Sequence, residues 1–195
     1  MSKQDEAKIG TEGSDSDDET EQMQFKVIIL GDGAVGKTSI AMRFTDNSFS
    51  KAYKQTIGLD FFIKKLILPG DVHVALQIWD IGGQSMGSKM IHNYIFGAHA
   101  VLLCYDITNY DSFQNLEDWY RLVRRTFARD TMPYVGLVAN KSDLNHMRAV
   151  RQDVHNQFAD ENELYGFVMS AKSGDQVNAC FYRIAAALAG GGVTK

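Results

Sequence analysis

Residues 31–38, with the letters GDGAVGKT, constrain this chain more than any other segment, because they match the pattern G-x-x-x-x-G-K-[ST]. The match follows directly on the apolar run 25–30 and opens a helical pattern, so a strand leads into it and a helix leads out. Glycines let successive backbone N–H groups point at oxyanions, and the N-terminal end of the helix adds positive charge. The segment therefore predicts a loop that holds the phosphates of a nucleoside triphosphate.

Two side chains of this loop suit phosphate chemistry. Lys37 is expected between the β- and γ-phosphates, and the Thr38 hydroxyl is expected to bind a magnesium ion whose other ligands are mostly water and phosphate oxygens. The predicted phosphate-binding residues are Gly33, Ala34, Val35, Gly36, Lys37, Thr38 and Ser39. The plain alternative is a glycine-rich turn that only joins strand to helix, which the glycines, lysine and threonine in register make the weaker interpretation.

The pattern after residue 25 alternates short β-rich runs with amphipathic stretches of helical length, which is typical of an α/β fold with a mostly parallel sheet. Predicted strands cover residues 25–30, 60–68, 73–80, 100–105, 134–139 and 166–170, and predicted helices cover 37–46, 110–128, 149–162 and 176–189. Turn residues at 69–71 predict that the second and third strands pair as an antiparallel hairpin. Residues 81–97 are expected to form a mobile loop with a partial helix.

Charge and composition limit the function classes. The chain has 195 residues, enough for one domain, and a net charge of -4. The first 24 residues hold eight acids and two lysines, so they predict a disordered, acidic, solvated leader, with an acidic interaction segment as the weaker alternative. Because the sequence has no basic stripe, we expect no nucleic-acid partner.

The cysteines and the termini indicate a cytoplasmic chain. Cys104 and Cys180 are far apart and lack the paired spacing of a zinc site, so both are predicted to be buried thiols in a reducing compartment. No secretory or transit pattern begins the sequence, and no apolar run approaches the roughly 18 residues of a membrane-spanning helix.

Residues 140–143, with the letters NKSD, follow directly on the predicted strand 134–139, and ligands of open α/β sheets bind at the carboxyl ends of strands. The Asp143 carboxylate could accept hydrogen bonds from N1–H and the exocyclic amine of guanine, whereas adenine has an acceptor at N1 and no amine at C2. Lys141 could lay its methylene stem over the base, and Asn140 could tie this loop to the phosphate loop. These residues predict guanine as the base, although the string alone is a common polar turn.

The segment Ser170-Ala171-Lys172 follows the last predicted strand. Its position would place the Ala171 backbone N–H against the base carbonyl, with Lys172 lining the same pocket. A match of only three residues is weak, so this prediction rests on the position of the segment after the last predicted strand.

Residues 80–84, with the letters DIGGQ, end the third predicted strand. Asp80 could hold magnesium through a water, Gly83 could swing its N–H onto a γ-phosphate, and Gln84 could orient an attacking water. Thr56 lies in a polar stretch and could bind magnesium and touch the γ-phosphate only while that phosphate is present. A segment that becomes ordered when the γ-phosphate is bound and loses that order on hydrolysis would act as a switch. The plain alternative for residues 80–84 is a strand that ends in a glycine turn.

These motifs together resemble the small Ras-like GTPases, and more closely the Rab family, over essentially all of residues 25–192. The Rab character rests on residues 57–61 (IGLDF), 76–80 (LQIWD), 105–108 (YDIT) and 112–113 (SF). The longer strings 53–62 (YKQTIGLDFF) and 79–84 (WDIGGQ) are similar to the divergent Rab branch numbered twenty-eight, which is associated with cilia and endosomal traffic.

The resemblance implies a P-loop NTPase fold of the Ras-like G-domain type over residues 25–190. Its sheet would have six mostly parallel strands with one antiparallel edge strand, and helices on both faces. By the same resemblance, Phe49 would pack edge-on to the base and Tyr53 would close over the phosphates. Expected partners are effectors, an exchange factor and a GTPase-activating protein, acting on a monomer.

The resemblance also implies reversible association with endosomal or ciliary membranes through a lipid on C-terminal cysteines. Residues 191–195 contain no cysteine. We therefore expect a frayed end that stops short of a lipidated tail.

Two departures from the Rab pattern fall after Asp80, where most Rabs read DTAGQE and this chain reads DIGGQS. Ser85 replaces an acid that can help an exchange factor displace magnesium, so the usual exchange mechanism is in doubt. Gly82 adds backbone entropy beside Gly83 and predicts a looser second switch in the diphosphate state.

The sequence thus predicts a GTP/GDP switch with slow intrinsic hydrolysis, in which Lys37, Gly83 and Gln84 act on the reaction and Thr38, Thr56 and Asp80 on the metal. No arginine is placed to act on the γ-phosphate in cis, so an activating partner is expected. Phe62, Trp79 and Tyr94 are the predicted effector patch.

Two alternatives stay open at this point. A P-loop kinase would need lid arginines, which the loops lack. A non-cycling GTP-bound scaffold is favoured by Gly82 and Ser85 and disfavoured by Gln84 and Thr56.

Overall fold

A computed structural model describes residues 21–190, so the predicted leader up to residue 20 and the end at 191–195 lie outside the described residues. The strands are β1 Gln22–Leu30, β2 Leu59–Leu68, β3 Val72–Ile81, β4 Ala100–Asp106, β5 Tyr134–Asn140 and β6 Tyr165–Val168. The α-helices are α1 Lys37–Asp46, α2 Ile91–Ile95, α3 Tyr110–Gln114, α4 Leu116–Thr126, α5 Gln152–Glu161 and α6 Val177–Ala189, and 3-10 helices cover Gly83–Gly87 and Ser142–Met147.

The strands form one six-stranded sheet in the order β2-β3-β1-β4-β5-β6. All neighbours pair in parallel except β2 and β3, which form the predicted antiparallel hairpin. Gly70 and Asp71 adopt positive φ in its turn, a conformation that glycine and aspartate tolerate better than most residues. The predicted α/β fold, with its antiparallel edge strand, is confirmed.

Several boundaries differ from the prediction for identifiable reasons. β1 begins at Gln22 rather than residue 25, because residues 22–24 pair with residues 73–75 of β3. α5 begins at Gln152, because the Ala149 and Val150 amides donate to the Ile107 carbonyl instead of entering a helix. The single helix predicted for 110–128 divides into α3 and α4 at Asn115 and ends at Thr126.

Two apolar layers enclose the sheet. α1 and α6 cover one face, where Phe44 and Phe181 pack with ring centroids 4.3 Å apart. α2, α3, α4 and α5 cover the other face around the buried Trp119. Cys104 and Cys180 are buried free thiols, as predicted, and burial raises the pKa of Cys104 to about 12.

The parallel strands β1, β3, β4 and β5 end at the same edge of the sheet. The phosphate loop follows β1, and the segments at residues 82–88 and 141–147 follow β3 and β5. Because strand ends in an open α/β sheet leave a crevice between their loops, this edge is where a ligand site is expected.

Candidate functional site

A cleft of about 970 Å³ opens at this edge of the sheet. All the predicted site residues line it except Val35, Asp80 and Ser170, which are buried directly behind its wall. The lining residues among those predicted are Gly33, Ala34, Gly36, Lys37, Thr38, Ser39, Phe49, Tyr53, Thr56, Gly83, Gln84, Asn140, Lys141, Asp143, Ala171 and Lys172. The fold therefore gathers segments up to 139 residues apart in the sequence into one site.

The phosphate loop curls around the Lys37 side chain. Lys37 Nζ donates to the Gly31 carbonyl at 2.7 Å and to the Asp32 carbonyl at 2.6 Å, which uses two of its three N–H groups. Burial lowers the pKa of Lys37, while the negative charges of Asp80 and Asp32 act in the opposite direction. Gly36 has φ of +100° and touches the Asn140 side chain, so only glycine fits between the loop and β5.

Three oxygen-bearing side chains meet beside the start of α1. The Thr38 hydroxyl donates to Asp80 Oδ2, and Thr56 Oγ1 lies 2.8 Å from Thr38 Oγ1 and 3.4 Å from Asp80 Oδ2. The second carboxylate oxygen, Asp80 Oδ1, is buried without a hydrogen-bond partner in the described part of the chain. Burial raises the pKa of Asp80, and the hydrogen bond from Thr38 opposes that shift.

This oxygen cluster fits a hard divalent cation that takes few protein ligands. Within residues 21–190 there is no group of three or more His, Cys, Asp or Glu side chains that could hold a metal by themselves. Magnesium typically binds through one or two protein oxygens and completes its shell with water and phosphate oxygens, so such a group is not required.

The segment at residues 140–147 is fixed to the phosphate loop by its first two residues. Asn140 Nδ2 donates to the Val35 carbonyl at 2.9 Å, and Asn140 Oδ1 accepts from the Ala171 N–H at 3.2 Å. Lys141 Nζ donates to the Ala34 carbonyl at 2.9 Å. The predicted tie between these loops is therefore present in the structure.

Asp143 is oriented from the segment after β6. Ser170 Oγ donates to Asp143 Oδ1 at 2.7 Å, which aligns the carboxylate at the mouth of the cleft. Ala171 and Lys172 line the same end of the cleft.

The segments predicted to act as switches approach the phosphate loop. A Cβ placed on Gly33 would lie 3.3 Å from Gln84 Nε2 and 3.6 Å from the Tyr53 hydroxyl. The Cβ position of Gly83 would overlap the Gly33 backbone nitrogen. Phe49 is half-buried against the layer formed by α1 and α6. Gln84 and Tyr53 therefore lie beside the phosphate loop.

Three structural partners of the site were missed in the sequence. Arg43 on α1 donates to the carbonyls of Ala171 at 2.8 Å and Lys172 at 2.6 Å. Asp106 forms an ion pair with Lys141 at 2.8 Å. Each of these side chains contacts a residue more than 30 positions away in the sequence, so no local sequence pattern predicts the contact.

The third missed partner is the Asp32 carboxylate within the phosphate loop. It accepts hydrogen bonds from the buried Trp119 indole N–H at 3.1 Å and from Asn115 Nδ2 at 2.6 Å. Hydrogen bonds from Asn115, between α3 and α4, and from Trp119 on α4 therefore anchor the phosphate loop to this helical layer.

The predicted patch of Phe62, Trp79 and Tyr94 is wrong in one member. Phe61 is the register partner of Trp79, so Phe61 shares its face and Phe62 points to the opposite face. Phe61 is 54% exposed, with its ring centroid 4.5 Å from that of Trp79, whereas Phe62 packs against the α1 layer. Phe61 therefore takes the place of Phe62 beside Trp79, while Tyr94 on α2 is partly buried against the layer around Trp119.

The fold and the cleft define a P-loop nucleotide-binding protein of the Ras-like type. The Ras family model matches residues 26–189. The chain is 42% identical to Ras-related protein Rab-28 of Caenorhabditis elegans over 183 residues, which is 93% of this chain and 74% of the relative. It is 38% identical to Ras-related protein Rab-3 of C. elegans, covering 86% of this chain and 75% of the relative. It is 37% identical to Ras-related protein Rab-1C of Dictyostelium discoideum, covering 89% and 84%.

The chain belongs to the Ras family, and specifically to its Rab proteins. It is a small GTPase that binds guanine nucleotide and hydrolyses GTP to GDP. No helix within residues 21–190 is long and apolar enough to cross a membrane.

Proposed function

We propose that this GTPase is a magnesium-dependent switch whose GTP state recruits effectors in vesicle, endosomal or ciliary membrane traffic. The observation that carries the proposal is the convergence of Tyr53, Thr56 and Gln84 on the phosphate loop. A protein that only stored nucleotide would not need three exposed-loop residues at the position of the terminal phosphate.

Base recognition is assigned to the loops after β5 and β6. Asp143, aligned by Ser170, accepts hydrogen bonds from N1–H and the amine of guanine. The Ala171 N–H exchanges its bond to Asn140 for the base carbonyl, and the Lys141 stem covers the ring. Adenine would not supply the two hydrogen bonds that guanine donates to the Asp143 carboxylate, which is costly once the bound base shields that carboxylate from water.

Hydrolysis depends on positioning and on charge neutralisation. Lys37 neutralises the β- and γ-phosphates, the Gly83 N–H binds a γ-phosphate oxygen, and Gln84 orients the attacking water. Magnesium, when bound, would offset charge that develops on the phosphates; Thr38 and Thr56 would bind it directly and Asp80 through a water. A GTPase-activating protein supplies an arginine, since no arginine within residues 21–190 lines the cleft.

The aromatic pair of Phe61 and Trp79 is proposed as part of the effector surface, with Tyr94 on α2 as a further member. It lies beside the switch segments, so its surroundings change with the nucleotide. Because Ser85 stands where Rabs carry an acid, we propose an exchange factor that does not use that acid. Membrane association is reversible and the folded unit is a monomer.

Two measurements on purified protein test this proposal. In the first, a sample is denatured and the nucleotide that it releases is identified by chromatography. In the second, native protein is loaded with GTP and the conversion of the bound GTP is followed for hours in a single turnover. Released GDP and slow conversion of GTP are expected, at about 10⁻³ to 10⁻⁴ s⁻¹. Stably retained GTP would favour the non-cycling scaffold, and adenine nucleotide would contradict the assignment of Asp143.

A further inference from the structure

The residues after β3 make a direct contact with the segment that carries Thr56. The Gly58 carbonyl accepts a hydrogen bond from the Gly82 N–H at 2.8 Å and a second from Ser85 Oγ at 3.3 Å. Ser85 is only 8% exposed, although it lies in a segment next to the open cleft. We call these contacts of Gly82 and Ser85 with residues 56–58 the clasp.

The clasp depends on the missing side chain of Gly82. A Cβ on this residue would lie 2.5 Å from the Thr56 carbonyl oxygen and 3.3 Å from the Gly58 carbonyl oxygen. The first distance is shorter than Cβ contacts found in proteins, so one of the two segments would have to move. Gly82 has φ of −59° and ψ of 137°, a conformation open to any residue. The close approach to Thr56, and not the backbone conformation, therefore requires glycine.

The same contact determines where the Thr56 hydroxyl lies. The Thr56 carbonyl rests on Gly82, and the Thr56 hydroxyl is 2.8 Å from Thr38 Oγ1. Gly82 is also two residues from Asp80, so the clasp and the oxygen cluster are built on the same strand end.

We infer that Gly82 and Ser85 are positioning residues that hold Thr56 against the magnesium and γ-phosphate site, so that the clasp selectively stabilises the triphosphate state. The inference rests on the proposed function, in which Thr56 contacts the γ-phosphate. The sequence predicts that Gly82 loosens the second switch in the diphosphate state. In the triphosphate state the entropy cost of glycine is offset by its close approach to Thr56, which a Cβ would prevent. In this chain the Ser85 hydroxyl positions residues 56–58 through Gly58, whereas most Rabs carry an acid at this position.

The test compares two glycine-to-alanine variants of the full chain. Gly82→Ala places a methyl group against Thr56, whereas a Cβ on Gly87 meets nothing within 4 Å, so Gly87→Ala is a matched control in the same segment. Dissociation of a fluorescent non-hydrolysable GTP analogue and of fluorescent GDP is measured for each protein in magnesium. Gly82→Ala should accelerate release of the GTP analogue about tenfold and change GDP release less than twofold. Gly87→Ala should change neither rate.

A second pair of variants tests the hydroxyl. Ser85→Ala removes the donor to Gly58, and it should accelerate release of the GTP analogue about threefold without affecting GDP release. Ser88→Ala is the control, because Ser88 Oγ accepts from the Met90 amide and does not contact residues 56–58.

Equal effects of Gly82→Ala on both nucleotides, or no effect on either, would overturn the inference while leaving the proposed function intact. A wild-type protein that binds neither guanine analogue would contradict the proposed function, and the inference would fall with it. The two failures are therefore distinguishable in one assay.

Discussion

The two halves of the nucleotide cleft differ in how firmly the rest of the protein holds them. On the side proposed to hold the base and the diphosphate, hydrogen bonds of 2.9 to 3.2 Å from Asn140, Lys141 and Asp32 join the loops to one another and to the buried Trp119. On the side proposed to hold the γ-phosphate, residues 51–55 are all exposed and adopt no helix or strand.

The proposed function gives the two halves of the cleft different tasks. A preorganised base and diphosphate site gives affinity because little order is lost when nucleotide binds. A weakly held segment can gain or lose its order when a single phosphate is added or removed, which is what a switch requires. The first three predictions each perturb one half of the cleft, and the fourth tests the stability of the fold.

The largest effect is expected from Asp143→Asn on the base side. The amide would present a donor to the N1–H or amine of guanine, so GDP affinity should fall at least a hundredfold. Isothermal titration or competition with fluorescent GDP measures the loss. Asp160→Asn on the exposed face of α5 is the control, and an unchanged GDP affinity in Asp143→Asn would remove that residue from base recognition.

Gln84→Leu should produce the next largest effect, confined to the γ-phosphate side. Leucine cannot orient water, so single-turnover hydrolysis should slow about 10- to 100-fold. GDP affinity should stay within twofold of wild type, since Gln84 lies beside Gly33 and away from the base loops. Wild-type hydrolysis in this variant would exclude Gln84 from the reaction.

Arg43→Lys should weaken the base side moderately. Lysine keeps the charge but loses the fork that contacts the carbonyls of Ala171 and Lys172. GDP dissociation should accelerate about three- to tenfold, with hydrolysis of bound GTP unchanged. Arg183→Lys on α6 serves as control, and equal dissociation rates for both variants would contradict the assigned contact.

The smallest effect concerns stability rather than the cleft. The His155 side chain is buried and bonded to the Tyr105 hydroxyl at 2.9 Å, and burial lowers the pKa of His155 to about 4. Because the unfolded histidine takes up a proton near pH 6.5, the folded state loses stability as the pH falls from about 6.5 towards 4.

The slope from His155 should be of the order of 1 kcal/mol per pH unit, and urea unfolding over this range measures it. His155→Gln should remove that part of the pH dependence. Identical pH dependence in wild type and variant would show that other groups account for it.

The sequence was informative wherever function depends on neighbouring residues. The phosphate loop, the hairpin turn and the order of strands follow from short patterns of glycine, apolar periodicity and turn residues, and the structure confirms the fold. Residues 140–143 and 170–172 could be placed at strand ends for the same reason.

The sequence was uninformative where function depends on long-range packing or on exact register. Arg43 contacts a carbonyl 129 residues away, and nothing near either residue marks the pair. Phe61 and Phe62 are adjacent, so a shift of one position exchanges the two faces of β2 and misplaced the aromatic patch. The reason for glycine at position 82 became visible only once Thr56 was placed beside it.

The central claim is that the two halves of the cleft respond differently to the γ-phosphate. Amide hydrogen exchange of the full chain, bound in magnesium to GDP or to a non-hydrolysable GTP analogue, tests it most directly. Peptides covering residues 50–60 and 82–90 should exchange more slowly with the GTP analogue, while peptides covering 31–38 and 140–143 should exchange equally in both states. Equal exchange throughout, or a change restricted to the base side, would contradict the account.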